Sequence, residues 1–492
     1  MLRPAALVAA LAATYLGGLL PTPASHAEEA PDDGAPEDDI APEDEDGEDG
    51  EDGHDGGDDA PEAPAPEGVR RLDLPALTAA SHRSARARMA ARDTAGAAAR
   101  RDEADAARLP KITATTFVAP SPDIRCLDPE CGTTDPESFA IRLSGVAYGG
   151  SVQVTQPLYT FGKLSAVREA ARAAVDAQTA LEDALAGDLA VEAARAYWGL
   201  KLARELVWML DDGIGEIEKA RGRLDERLAA GDAGATVQDR QRLITLLAEA
   251  RIQLTEARAA EATALASVRA IAGDDAVDID EDELAPVELE VGAEDDYVAR
   301  ARDRRPEVRA ARAGARAAEG LADFEAGQYW PDLALVGSLG ITRATGVDDA
   351  PSAVYAEPFN SNSAALAVVL RWNVEPWTTR ARLARARASE RKAEELVELA
   401  ATGATLDART AWADAIAARD RVVAAEEGKT AAQGWVFSVL QADAIGVAEP
   451  KDLADAYIAW FQMRARLGAA ILQWNVATVR LDRATGEFKR AP

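Results

Sequence analysis

The chain has 492 residues, two cysteines and a formal charge of −31, and only 5% of it is aromatic. Alanine carries much of its 48% hydrophobic content, which favours long, thinly packed helices over thick cores. Residues 1–67 hold twenty acids and one base, and the rest holds 65 acids and 53 bases; nothing gives the basic footprint of a nucleic-acid binder, and with His26, His54 and His82 all before residue 83 a catalytic zinc site has no ligands to draw on.

Arg3, the uncharged stretch Ala5 to Leu20, and small residues at Ser25 and Ala27 describe a signal peptide over residues 1–27. Pro21 and Pro23 speak against its retention as an anchor. Residues 28–68 are Asp, Glu, Gly, Pro and Ala with almost nothing to bury, so they read as a disordered acidic tail. The acids at 44–50 do not meet the spacing of a calcium loop. No metal site, cofactor site or nucleophile–base constellation is read anywhere, so the chain is not expected to be an enzyme.

From residue 69 onward one unit is written twice, over 69–280 and 281–492. Pro110 and Pro331 each separate a helical stretch from a strand-like one, 221 residues apart. Pro157 and Pro376 end alternating stretches 219 apart, and Gly273 and Gly486 close final helices 213 apart. Asp239 and Asp452 each lie 34 residues before those closing glycines. Each copy predicts helix, strand, strand, long helix, turn, long helix. The first helices cover 76–108 and 294–329; the strands cover 111–119, 143–155, 332–343 and 364–374. Leu366, Val368, Leu370 and Trp372 alternate on one face of the last. These strands approach the nine to eleven residues of a tilted membrane strand.

Helical runs follow at 158–230 and 377–444. At 1.5 Å per residue, seventy residues give a rod of about 100 Å. In the last helix Leu453, Ala456, Trp460, Met463, Leu467, Ala470, Trp474, Ala477 and Leu481 recur at steps of three and four, the period of a coiled-coil seam. Copy one repeats the stripe at Leu243, Leu247, Ala250, Leu254, Ala257, Glu261, Ala264, Val268 and Ile271, with one charged exception. Four membrane strands alone would leave two edges of unpaired N–H and C=O groups in lipid. Closure takes about eight strands or more, so several chains must share one barrel.

The order and duplication of these residues resemble the outer-membrane efflux protein family, the TolC-like channels, over residues 72–487. The passage Gln156-Pro157-Leu158-Tyr159-Thr160-Phe161-Gly162 is similar to the family's strand-to-helix junction, and Arg483-Ala484-Thr485-Gly486 to its closing segment. The resemblance implies a mainly α fold with a membrane β-barrel part. Each chain of a homotrimer would give four strands to a twelve-stranded barrel and two hairpins to a long helical periplasmic barrel. It further implies an outer-membrane location in a Gram-negative cell, contact with outer-membrane lipid, and no nucleic acid. The function implied is passive export with a periplasmic adaptor and an inner-membrane RND or ABC pump, in efflux or type I secretion. A fibrous coiled-coil protein without a pore is the competing reading.

The resemblance also assigns residues. Gly231 in the first hairpin turn and Ile445-Gly446-Val447 in the second match the tips that meet the adaptor, although Asp232 stands where an apolar residue is expected. Asp452 and Asp455, three apart on one helix face, and Asp239 in copy one match the pore-narrowing aspartates. In a trimer they would form carboxylate rings that repel one another and attract cations. Plain helix caps and solvated acids are the simpler readings of the same residues. The family's tip arginine is missing, since Ala448 holds its place; Lys451, Arg240 and Arg242 are the nearby cations. Cys126 and Cys131 fall in a loop that should face the oxidising exterior, where a C-x4-C pair forms a disulfide or stays as two thiols. Tyr159, Phe161, Trp330, Trp372 and Trp377 cluster where strands meet helices, as a membrane-interface girdle or as junction packing.

Overall fold

A computed structural model describes residues 69–122, 143–232, 236–345, 347, 359–444 and 450–487. The signal peptide, the acidic tail, the Cys126–Cys131 loop and the tip Ile445-Gly446-Val447 lie outside the described residues. Met1–Arg70 separates as one unit and Arg71–Pro492 as another.

From Arg70 onward the chain runs β1 (Arg70–Leu72), α1 (Leu74–Ser81), α2 (Ala85–Ala106), β2 (Lys111–Pro122), β3 (Leu143–Tyr159), α3 (Lys163–Ala229) and α4 (Val237–Ala272). It continues with β4 (Val277–Ile279), α5 (Glu294–Arg304), α6 (Pro306–Gly327), β5 (Asp332–Ala344), β6 (Ser361–Arg371), α7 (Pro376–Ala444) and α8 (Pro450–Thr485). Helix, strand pair and long hairpin thus occur twice in the same order. The two closing glycines share one conformation, with φ 67° at Gly273 and 73° at Gly486. That left-handed turn ends a helix cheaply only at glycine.

Local chemistry corrects the expected boundaries. The first helix breaks at 82–84, because the Ser84 side chain accepts from the Ala87 N–H and starts a new helix. The helix expected over 294–329 breaks at Arg305, whose ψ of 131° is what the following Pro306 imposes. β3 runs through Pro157 to Tyr159, four residues beyond expectation, and the helix starts at Lys163 rather than 158. Pairing of β3 with β2 ends at Thr155, so the missing N–H of Pro157 costs no bond on that side. β6 ends at Arg371, so Trp372 and Val374 fall in the link to Pro376. The ribbon of β1 and β4, three residues each, is too short to show periodicity.

β2, β3, β5 and β6 form one antiparallel sheet in that order. The register sorts its two faces by chemistry. Across one face run the rows Ile112, Val154, Gly337, Leu366 and Ala114, Val152, Leu339, Ala364. The opposite face carries Thr113, Gln153, Ser338, Ala365 and Thr115, Ser151, Gly340, Ser363. The large side chains of the first face are exposed, among them Ile112, Val118, Leu339, Leu366 and Val368. One apolar and one polar face, alternating residue by residue, is the signature of a membrane barrel wall. At Leu158 the register shifts, and this bulge turns Tyr159 onto the row of Leu333 and Leu370. From Tyr148 to Tyr159 the apolar band spans about 35 Å along the strand, or about 27 Å at a usual tilt, close to the height of a bilayer core. Among the described residues no helix is long and apolar enough to cross a membrane.

The helices pair along the expected stripes. All nine positions of each stripe are buried or half-buried. The exception, Glu261, accepts from Arg204 Nε at 3.3 Å, and Arg204 also holds both oxygens of Asp278 at 2.7 and 2.8 Å. Half-way along the rods the largest apolar core gathers Leu77, Tyr197, Trp198, Leu200, Val268, Val277, Ile279 and Val476. There the Asn475 side chain, fully buried, accepts from the Val287 N–H at 2.8 Å and donates to the Ala285 carbonyl at 2.9 Å. It does for the extended segment before α5 what a neighbouring strand would otherwise do. Tyr197 and Lys201 grip the same segment through Asp280. Burial raises that carboxyl and the two donors more than reverse the effect, so Asp280 titrates below its usual range.

Candidate functional site

Two regions hold the residues singled out in sequence: the end of the sheet where strands meet helices, and the hairpin turns at the far end of the rods.

At the junction the aromatics meet. The Phe161 ring stacks on Trp330 with centroids 5.7 Å apart, and Tyr159 meets Phe161 edge-on at 4.6 Å. Phe161 has φ 48°, uncommon for a residue with a side chain, and its stacking accompanies that turn. Trp372 donates from Nε1 to the Tyr329 carbonyl at 3.1 Å, next to Trp330. Trp377 stands apart on the first turn of α7, 82% exposed. Four of the five aromatics therefore form one group. Sequence reasoning missed the residue beneath it: Lys163, nearly buried, donates to the Trp330 carbonyl at 2.9 Å and pairs with Asp332 at 2.8 Å. Its position directly after Gly162 in the junction passage was the available signal.

At the turn of the first hairpin Gly231 has φ 75°, and its N–H donates to the Leu228 carbonyl at 3.2 Å. Gly231 therefore caps α3. Asp232 returns to Arg227 at 2.8 Å, which accounts for a charge where an apolar residue was expected. Asp239 lies in the first turn of α4. Its backbone N–H donates to the Thr236 hydroxyl at 3.2 Å, and that hydroxyl donates to the Asp239 carboxylate at 2.5 Å. Thr236 is therefore the N-cap of α4, and the Asp239 carboxylate holds its hydroxyl at the helix start. Asp452 is half-buried and Asp455 exposed in the opening turns of α8. Ala454, between them, packs on Ile217, Leu224, Leu243 and Leu247 of the first hairpin. The starts of α4 and α8 thus lie at the same end, one turn from each other's core contacts. Arg240, one of the cations near the latch position, pairs with Asp225 inside its own hairpin at 2.7 Å.

Above the turns the hairpins are joined by Arg464. Its guanidinium sits 4.6 Å from the Trp208 ring centre and 5.7 Å from that of Trp460, and Nε lies 3.7 Å from Glu205. Burial pushes the Glu205 carboxyl up, and Arg464 only partly offsets it. Beside them, Phe461 fills the space left by Gly213. Sequence reasoning missed this seam because its partners lie in different copies.

Residues 297–487 match the family model described as outer membrane efflux protein. This stretch is an outer membrane efflux protein domain. Solved structures share the fold of the whole second unit. CusC is 17% identical with a TM-score of 0.68, covering 85% of this chain and 93% of its own. The CmeC outer membrane channel of Campylobacter jejuni is 14% identical with a TM-score of 0.67, covering 84% and 85%. The VceC outer membrane protein of Vibrio cholerae is 16% identical with a TM-score of 0.66, covering 84% and 96%. No curated protein matches the chain. Residues 297–487 thus carry the efflux-protein domain, within a chain that shares the fold of solved outer-membrane channels.

Proposed function

We propose that this chain is an outer-membrane efflux channel, three copies of which close their sheets into one twelve-stranded barrel above one helical duct. The duct would be the exit of a tripartite efflux pump or a type I secretion system. One observation carries the reading: a four-stranded sheet, apolar on one face and polar on the other, has β2 and β6 as edges. An edge in lipid leaves N–H and C=O groups without partners, and pairing β6 of one copy with β2 of the next removes both edges. The polar face then lines a watery lumen.

In this reading the turns around Gly231 and Ile445-Gly446-Val447 meet a periplasmic adaptor, and an inner-membrane RND or ABC pump supplies cargo and energy. Asp452 and Asp455 from three chains ring the periplasmic mouth. Support for a pore assembled from such sheets comes from CusC, in which conformational changes accompany folding and transmembrane channel formation. The test is outer-membrane fractionation, heat-modifiable migration as a trimer, and conductance in planar bilayers. Monomeric, wholly helical material without conductance would overturn the reading in favour of a fibrous coiled-coil protein.

A further inference from the structure

A pore wall sorts ions by the charges it turns inward. On the polar face of the sheet those charges can be read off the register, because every second residue of each strand belongs to it. From Thr113 to Ser121 on β2 and from Gly145 to Thr155 on β3, no residue of that face is charged. The same holds from Ala334 to Ala344 on β5 and from Ser361 to Val369 on β6. The face carries charge only at the end that meets the helices, at Lys111, Asp332 and Arg371.

Asp332 stands opposite Arg371 in the register, but its carboxylate pairs with Lys163 at 2.8 Å. Lys111 and Arg371 are exposed, and among the described residues neither forms an ion pair. Glu375, the next acid along the chain, lies past the end of β6 in the link to α7. With Asp332 and Lys163 cancelling, each chain leaves Lys111 and Arg371 as the net charge of its wall. That charge is positive in a chain whose acids outnumber its bases.

Both residues belong to edge strands. Lys111 opens β2 and Arg371 closes β6, the two strands that the proposed closure joins at each boundary between copies. Strand pairing links backbones and leaves side chains on their own faces, so both stay on the lumen side. The row of Lys111 reaches Ala367, and Arg371 lies about 13 Å further along β6. Twelve strands tilted by about 40° put the backbone about 12 Å from the barrel axis. A four-carbon stem spans about half of that, so the charge lies within one Debye length of the axis, about 10 Å at 0.1 M salt.

We infer that Lys111 and Arg371 of three copies form a basic belt at the inner end of the barrel, which draws in anionic solutes and binds multivalent oxyanions. The inference rests on the reading of the sheet as a trimeric barrel whose polar face lines the lumen, and it adds a substrate class to that reading. Arg371 meets oxyanions with paired N–H donors, and Lys111 acts as a point charge. The rest of the wall offers hydroxyls, amides and small side chains, which neither repel nor hold an ion. Asp452 and Asp455 stand at the opposite end of the rods, so the belt and the mouth act on an ion with opposite sign.

The experiment records single channels of the full chain in planar bilayers of neutral lipid, in KCl free of divalent cations. The rods stay in the chamber that received the protein, so tripolyphosphate goes into the other chamber and reaches the belt without passing the hairpin turns. At about 0.1 M KCl the unmutated channel is expected to be blocked, and at about 1 M, where the Debye length is about 3 Å, the block should largely vanish. The variant K111Q/R371Q should need at least about tenfold more tripolyphosphate for the same block. K111R/R371K keeps both charges and should be blocked like the parent. Equal block of K111Q/R371Q and the parent, block indifferent to salt, or a conducting parent that tripolyphosphate leaves open overturns the inference. If K111Q/R371Q does not insert, the salt dependence of the parent and the single variants K111Q and R371Q decide by the same criteria. If the parent gives no conductance at all, the barrel reading itself fails and takes this inference with it.

Discussion

Lys163, the first residue of α3, forms a 2.8 Å ion pair with Asp332, the first residue of β5. The pair ties the place where one strand becomes a helix to the place where another helix becomes a strand, 169 residues later. Lys163 also donates to the Trp330 carbonyl, under the Phe161–Trp330 stack. Lys163→Met keeps most of the apolar stem and loses both bonds, at an expected cost of about 1–3 kcal/mol. Asp332→Asn should cost less, because that carboxylate is 43% exposed and water screens it. Thermal denaturation in detergent should rank the two in that order; equal losses would mean that the carbonyl contact contributes nothing.

Arg483 supports a second prediction, in pH. Its guanidinium reaches Glu307 at 2.5 and 3.3 Å and Asp188 at 3.1 Å, joining the end of α8 to α6 and α3. Burial raises the Glu307 carboxyl, but Arg483 and Arg305 pull it down to about 2. A carboxyl lowered on folding stabilises the protein above its unfolded value, near pH 4.5, and that contribution fades as pH falls toward 2. Glu307→Gln should therefore lower the melting temperature at neutral pH and flatten its decline between about pH 4.5 and 2. Arg483→Ala should be harsher, about 2–3 kcal/mol, because it removes the main partner of the half-buried Glu307 and the contact with Asp188, leaving Arg305 as the remaining cation. Melting curves across that range check both; parallel acid limbs for Glu307→Gln and the parent would remove the assignment.

The pattern of what was legible follows from distance along the chain. Seam stripes such as Leu453 to Leu481 obey a period that any stretch of helix displays, so the rods could be placed from sequence. The faces of β6 could be read because Leu366, Val368 and Leu370 alternate. The break at Arg305 is legible in Pro306, but the strongly helical pattern on either side conceals it. Lys163–Asp332, Arg464–Trp208 and Arg483–Glu307 were not legible at all. Each joins residues far apart along the chain, the first two across the copies, and nothing local to either partner announces the other. Asp239 carries two readings at once: it matches a pore aspartate, and Thr236 three residues earlier declares a cap at the same helix start.

The loop of Cys126 and Cys131 would face the exterior in the proposed barrel. Cys126 and Cys131 are proposed to form a disulfide between the first two strands, in a compartment that favours oxidation. Native protein denatured without reductant should show two fewer thiols by Ellman titration than reduced protein. Equal counts would refute the bridge. Its removal by Cys126→Ser with Cys131→Ser should leave conductance unchanged, since a five-residue step closes only a small loop.

The mouth of the duct separates two roles that one residue type can play. Asp239 is engaged by Thr236, so Asp239→Ala should act on stability: it keeps the Thr236 cap on the backbone N–H, loses the hydroxyl–carboxylate bond and the acid at the helix start, about 0.5–1 kcal/mol, and leaves closed-state conductance alone. Among the described residues Asp452 and Asp455 have no such partner at their helix start, and Ala454 between them is anchored on the first hairpin. If three chains bring these carboxylates together, Asp452→Ala with Asp455→Ala should raise the closed conductance and weaken block by multivalent cations. Repulsion among the carboxylates and their attraction for such ions are the two forces removed. Single-channel recording in planar bilayers, with and without a trivalent cation, reads both effects. An unchanged trace in the double variant assigns these acids to the solvated helix surface, and a raised conductance in Asp239→Ala instead would move the constriction to the first hairpin.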